Sequence, residues 1–374
     1  MKFNRYPLSD LATIKYGKNQ KKVLSESGNI PIYGTGGLMG YATTALYDKP
    51  SVLIGRKGTI GKVKYVAHPF WTVDTLFYTI VNTDIVLPKY LYYVMSLVDL
   101  NNYNEGTTIP SLRTETLNRL EFDIPSLEEQ ETILSCLNPI DEKIVLNNTI
   151  NENLAEQARA IFQAWFIDYE PFGGAAPLSW QLSTLGQIAE LKTDSWSPAK
   201  NPDVMVEHYS IPAFDEQHFP VFEIAAGIKS NKYILNSNSV MISKLNPDTK
   251  RIWRPLCLSA HPICSTEFIV YEAKKQKQRD YIYSILDSVP FLNHLCSHTT
   301  GSTNSRQRAT PKSTLDFTLC LPPDTIIEDF CQIVTPMYDL IASNIVENQS
   351  LVKTRDSLLP RLMSGELDVS DIDF

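Results

Sequence analysis

The decapeptide IGRKGTIGKV (54–63) carries Gly55, Gly58 and Gly61 at three-residue intervals among Arg56, Lys57 and Lys62. Glycines that let backbone N–H groups approach an anion, set beside cations, are the parts of a phosphate cradle. Both nucleotide signatures fail, however. A G-x-x-x-x-G-K-[ST] loop ending on Gly61 would need glycine at position 56 and a hydroxyl at 63, where Arg56 and Val63 stand. A G-x-G-x-x-G turn opens a helix, whereas Val63-Lys64-Tyr65-Val66 continues as a strand. A contact to a nucleic-acid backbone and a plain hairpin turn remain.

An internal repeat narrows the choice. YPLSDLATI (6–14) recurs as WQLSTLGQI (180–188), SVLIGR (51–56) as SVMISK (239–244), and Gly-Thr-Thr at 106–108 as Gly-Ser-Thr at 301–303. The separation grows along the chain, so the second copy carries extra residues, which we expect in loops. From Pro125 and Pro322 onward the copies align without gaps. The 374 residues are two diverged copies of one unit, each a mixed domain followed by a helical segment. The boundaries read 1–125, 126–170, 171–322 and 323–374. Strands are predicted at 51–54, 62–67, 76–81, 239–243 and 267–271, and helices at 89–98 and near 279–286. In the copy of the decapeptide, ISKLNPDTKRIW, all three glycines are gone, while a basic residue and a turn persist. A basic hairpin is shared; a glycine-specific cradle is not.

The helical segments carry a 4-3 beat. Ile133, Leu137, Ile140, Ile144, Asn147, Asn151, Leu154, Ala158, Ile161 and Trp165 keep it in the first copy. Phe330, Val334, Met337, Ile341, Asn344, Asn348, Leu351, Arg355, Leu358 and Leu362 keep it in the second. Such a beat is a coiled-coil seam. Pro139 and Pro336 are expected to start or kink each helix. Each helix leads away from its own domain, so the two should run antiparallel. Asn147 would then meet Asn348, and Asn151 would meet Asn344. From Pro139 to Phe166 the helix would be about 42 Å long at 1.5 Å per residue.

The net charge of −8 is unevenly spread. Residues 1–125 carry +4 and 171–322 carry +2, while each helical segment carries −7. Basic residues also gather in predicted loops: Lys18, Lys21 and Lys22; Arg56 and Lys57 with Thr59; Lys244 with Asn246; Lys250, Arg251 and Arg254. Two polar loops join them. EGTTIPSLRTET holds Thr107, Thr108 and Arg113, and HTTGSTNSRQRAT (298–310) holds Ser305, Arg306, Gln307 and Arg308. Arginine reads guanine and Asn or Gln reads adenine in bidentate pairs, while Lys, Ser and Thr hold phosphates. These are the candidate DNA-binding residues, and solvated turns are the alternative for each loop.

Other chemistry is thinly represented. His294 and His298 flank Cys296 without a second ligand pair, so no metal is expected. The six cysteines show no C-x-x-C pairing, which fits reduced thiols in a cytoplasm. No apolar run suits a membrane span, and MKFNRYPLSD does not read as a signal peptide. YEPF (169–172) lacks the Asn or Asp with which a methyltransferase holds an adenine amino group. Pro247-Asp248 with Glu272-Ala273-Lys274 matches PD…E-x-K, a pattern that could hold Mg²⁺ and polarise water. A magnesium-dependent DNA endonuclease is therefore the alternative reading, although the first copy has Val81 and Thr83 in place of Glu272 and Lys274. A scaffold that never touches DNA is a third.

Taken together, IPIYGTGGLMGY (30–41), the decapeptide, GTTIPSLR (106–113), IPSLEEQETI (124–133), DEKIVLNNTINENLAEQARAIFQAWFIDYEPF (141–172) and SLLPRLMSGEL (357–367) resemble the specificity subunit of type I restriction–modification enzymes. The resemblance implies an α+β fold with pseudo-twofold symmetry, two target-recognition domains and two long antiparallel helices between them. It also implies a non-catalytic chain that reads a bipartite site on double-stranded DNA. The implied partners are two modification subunits and the restriction subunits. S-adenosylmethionine, ATP and magnesium would sit on those partners, with no cofactor in this chain. The second domain departs from the glycine-rich pattern of the first, as domains reading different half-sites would.

Overall fold

The computed structural model describes residues 2–300 and 307–369. It divides into two compact units, Met1–Val145 with Gln349–Phe374, and Leu146–Asn348.

In the first unit, an antiparallel sheet has the order 12–16, 76–81, 51–55, 63–66. Ser51–Gly55 is buried along its whole length. Apolar and β-branched residues on both faces suit a central strand. Helix Pro88–Ser96 lays Tyr90, Leu91 and Val94 into a core shared with Val52, Ile54 and Phe77. Strand Asn4–Pro7 pairs with Glu121–Ile124 and closes the domain just ahead of the first long helix. A smaller sheet joins 37–42, 30–34 and 71–72, the last two in parallel.

The second unit repeats this plan. Its main sheet runs 189–192, 268–273, 239–243, 252–253, and its closing pair is 181–184 with 318–321. Helix Arg279–Asp287 stands where Pro88–Ser96 stands in the first. The extra residues are not confined to loops, contrary to expectation. Helix Ile211–Gln217 is inserted between strands 205–209 and 221–224, and 195–196 with 232–234 widen the second sheet to five strands. Inserted chain that can bury apolar side chains, as Ala213 does here, gains more by folding than by staying a loop.

Two 40-residue helices, Leu127–Phe166 and Asp324–Met363, follow the domains. They begin well before Pro139 and Pro336, which lie inside them, so of the two expectations for these prolines, a start or a kink, the start is excluded. Ser126 caps the first: its amide donates to Glu129 Oε2 at 3.0 Å, and the Glu129 amide donates to Ser126 Oγ at 3.3 Å. This is the reciprocal cap that Ser-x-x-Glu encodes. An interior proline costs about 3 kcal/mol. Ile133, Leu134 and Leu137 ahead of Pro139, and Ile327, Phe330 and Val334 ahead of Pro336, are buried and offset that cost.

None of the seam positions is exposed. In the first unit Ile133 and Leu137 share a core with Leu359 and Leu362; in the second Ala158 and Phe162 share one with Phe330 and Val334. Rising numbers on one helix meet falling numbers on the other, so the helices pack antiparallel in each unit. Within the second unit, Asn147 Nδ2 donates to Asn348 Oδ1 at 2.9 Å, and Asn344 Nδ2 donates to Asn151 Oδ1 at 2.8 Å. Asn147 also donates to Glu347 at 2.7 Å, and Asn348 to Asn148 at 2.9 Å. Amides buried in a seam need such partners.

Candidate nucleic-acid interface

In each unit the turn that leaves the central strand is bound to the polar loop that precedes the last short helix. In the first unit, the Gly58 amide donates to Pro110 O at 2.9 Å and the Leu112 amide to Arg56 O at 3.0 Å, with Lys57 bridged to Ser111. In the second, the Asn246 amide donates to Gln307 O at 2.9 Å and the Ala309 amide to Lys244 O at 2.9 Å, with Leu245 bridged to Arg308. On the hairpin side these are the positions that the repeat equates, 56 with 244 and 58 with 246, and on the loop side they follow the register that aligns Pro125 with Pro322. The basic hairpin and the polar loop therefore form one surface, and they do so twice.

The glycines now have a structural account. A side chain on Gly55 would put its Cβ 2.0 Å from the carbonyl oxygen of Thr59, so the turn can fold back only over a glycine. Gly58 adopts a left-handed φ of 84°, and its counterpart Asn246 adopts 47°. Asparagine tolerates that region better than most residues. The second copy thus keeps the turn without the glycine. Neither observation calls for phosphate.

The basic residues divide by what holds them. Lys57, Thr59, Thr107 and Thr108 are exposed on the paired loops. Arg113 is largely exposed, with Nε 3.1 Å from Glu105 Oε2. Arg56 is half-buried: its guanidinium lies over the Tyr16 ring at 4.9 Å, and Nη1 donates to Asp74 O at 2.8 Å. It fastens the hairpin to the 72–76 turn. Lys18, Lys21 and Lys22 are exposed, and the Lys18 amide donates to Thr72 O at 2.8 Å.

In the second unit the ion pairs go further. Lys244 is half-buried, Gln307 carries the backbone pairing, and Arg308 is half-exposed with Nε 3.0 Å from Glu267 Oε2. Asn246 turns a buried Oδ1 that has no hydrogen-bond partner among the described residues. The structure does not present Lys250, Arg251 and Arg254 as free cations. Lys250 Nζ lies 2.5 Å from Asp287 Oδ1, and Arg251 grips Asp215 at 2.6 and 2.9 Å. Arg254 is largely buried, with Asp280 at 2.8 Å on the inside and the exposed Asp339 at 2.6 Å. Their charge is neutralised inside the unit, which weakens them as DNA contacts. Ser305 and Arg306 lie outside the described residues.

Sequence reasoning missed Asn104. Its Oδ1 accepts from the amides of Gly106 and Ser111, both at 2.9 Å, and so shapes the polar loop of the first unit. Asn-x-Gly is the signal of such an Asx turn.

The nuclease pattern does not assemble. Strand pairing places Ser239 opposite Glu272 and Ser243 opposite Phe268. Asp248 lies beyond Ser243, at the other end of the strand from Glu272, roughly 14 Å away along the strand alone. Glu272 instead accepts from Asn236 at 2.6 Å, and Lys274 Nζ donates to Gly186 O at 2.6 Å. Among the described residues no group of three or more His, Cys, Asp or Glu is placed to hold a metal. His294 Nε2 is 2.9 Å from Ser313 O, and His298 Nδ1 is 2.9 Å from His294 O. All six cysteines are free. No helix of the described residues is long and apolar enough to cross a membrane.

Comparison with known proteins adds four findings. Residues 2–156 match the family model described as type I restriction modification DNA specificity domain. The chain is 26% identical over 351 residues to the type I restriction enzyme MjaIX specificity subunit of Methanocaldococcus jannaschii, covering 87% of this chain and 80% of that one. It is 24% identical to the HindI specificity subunit of Haemophilus influenzae, over 79% of this chain and 81% of that one. Among solved structures, the S subunit of a type I restriction–modification system from M. genitalium shares the fold. The TM-score is 0.62 at 16% identity, covering 97% of this chain and 96% of the other.

Proposed function

Because this chain belongs to the specificity-subunit family of type I restriction–modification systems, we propose that each unit reads one half of a bipartite site on double-stranded DNA. The paired loops do the reading. The observation that carries this is their recurrence: hairpin and polar loop are joined by the same backbone bonds in both units, although the side chains they present differ. A shared frame with divergent side chains is what two half-sites of different sequence require.

The chain is the non-catalytic specificity component. The acidic helical segments dock two modification subunits, and restriction subunits join through them. S-adenosylmethionine, ATP and magnesium are the partners' cofactors, and the complex works in the cytoplasm, where the six free thiols stay reduced. Arg113, Lys57, Thr59, Thr107 and Thr108 face the first half-site; Lys244, Asn246, Gln307 and Arg308 face the second.

Methylated adenines mapped over a random-sequence plasmid library test this reading. Replacing Gln307 and Arg308 by alanine should relax or abolish selection at one half-site, at about 1–3 kcal/mol of discrimination per lost base contact, and leave the other half-site intact. Equal loss at both halves would overturn modular reading.

A further inference from the structure

The helix that docks each recognition domain on the long helices is made of matching residues in the two units, yet its contacts are reversed in size. In the first unit Tyr93, buried on Pro88–Ser96, donates its hydroxyl to Asp141 of the first long helix. The repeat equates Tyr93 with Ser284 and Asp141 with Tyr338. Those two also touch: Ser284 Oγ is 3.2 Å from Tyr338 Oη, and both are buried. A large residue on the domain meets a small one on the long helix in one unit, and a small residue meets a large one in the other.

Charge at the edge of the contact differs too. Asp287, at the end of the second docking helix, holds Arg159 of the first long helix at 2.7 Å. The matching positions in the first unit are Ser96 and Asp356. Lys89, which lies 3.4 Å from Asp141, is matched by the buried Asp280.

We propose that these reciprocal pairs are a positional key, which assigns each recognition domain to its own helix halves and so fixes which half-site is read at which end. A domain in the wrong place would set Tyr93 against Tyr338, two large side chains in space for one. The other domain would leave Ser284 short of Asp141, a void beside a half-buried carboxylate, and would bring Asp280 toward Asp141 and Asp287 toward Asp356. Like charges and misfit volumes set against the wrong partner give specificity beyond what the correct contacts supply.

The test is the full chain with residues 1–125 and 171–322 exchanged, made in two forms. One keeps the native residues. The other carries Tyr93→Ser and Ser96→Asp on the first domain with Ser284→Tyr and Asp287→Asn on the second. The first form should melt on the order of 5 °C or more below the parent, and the second should regain most of that loss. Equal melting of the two forms, whether high or low, would overturn the key. In the native order, Ser284→Tyr should lower the melting temperature and Ser284→Tyr with Tyr338→Ser should restore it; failure of that rescue would also count against the proposal. Melting is read without DNA, so the outcome is independent of whether the paired loops read bases.

Discussion

Asp280 shows how much a single buried acid can hold. Burial alone would raise its pKa, but hydrogen bonds and charge from Arg254 and Arg279 outweigh that and keep the carboxyl below the usual 3.8. Thr335 adds a hydrogen bond of 2.7 Å from the second long helix. The folded state binds this proton more weakly than the unfolded chain. The stabilisation is therefore complete above about pH 4 and is lost as the pH falls through the lowered value. Asp280→Asn should cost about 3–5 kcal/mol at neutral pH, because Arg254 is left buried and underpaired. It should also flatten the fall in melting temperature below pH 4, which melts between pH 2 and 7 would show. None of this was legible from sequence. Arg254 read as one more loop cation because its partners lie 26 and 85 residues away. The ion pairs of Lys250 and Arg251 were hidden for the same reason. Clustering of basic residues along the chain says where charge is, and only the fold says what neutralises it. Gly58 and Asn246 are the converse case: the turn was expected to persist without its glycine, and the left-handed backbone at Asn246 keeps it.

At the scale of elements, the sequence was most informative where a period is long. The 4-3 beat gave the seam and its asparagine partners residue by residue, since antiparallel pairing of two copies leaves little freedom of register. The main-sheet strands 76–81 and 239–243 were read to the residue. Short strands such as 4–7 and 181–184 were not, because four residues carry too little periodicity and their pairing partners stand more than a hundred residues away. Allowing a helix to start at its proline, and not only to kink there, gave that residue too much weight. Ser126 and Glu129 had already written the cap, and the apolar residues before Pro139 continue the beat. If packing is what carries that proline, Pro139→Ala should keep the fold and raise helix stability by up to about 3 kcal/mol. A melting temperature lowered by the substitution would mean the proline shapes a contact of its own.

At the scale of the molecule, the first long helix is longer than its sequence suggested: 40 residues, about 60 Å at 1.5 Å per residue. If helix length sets the spacing of the two half-sites, four residues inserted into Leu127–Phe166 add about 6 Å. The preferred spacer should then grow by one or two base pairs at about 3.4 Å each. The half-site sequences should stay as they were. Methylation mapping over a library with variable spacers reads both at once, and an unchanged spacer at full activity would exclude the helix as ruler.

The division of the chain also sets an order of events during synthesis. The second unit is one unbroken stretch, Leu146–Asn348, whereas the first needs residues from both sides of it. Leu359, Leu362, Met363 and Val369 complete a core whose other members lie before residue 146. On a ribosome, then, the half made first is the half finished last, and its apolar surface waits through some two hundred residues of translation for its lid. A chain released after Asn348 should keep the second unit resistant to protease while the first is cleaved, and a synthetic peptide of 349–374 added afterwards should restore resistance. Equal sensitivity of both halves would show that they fold as one.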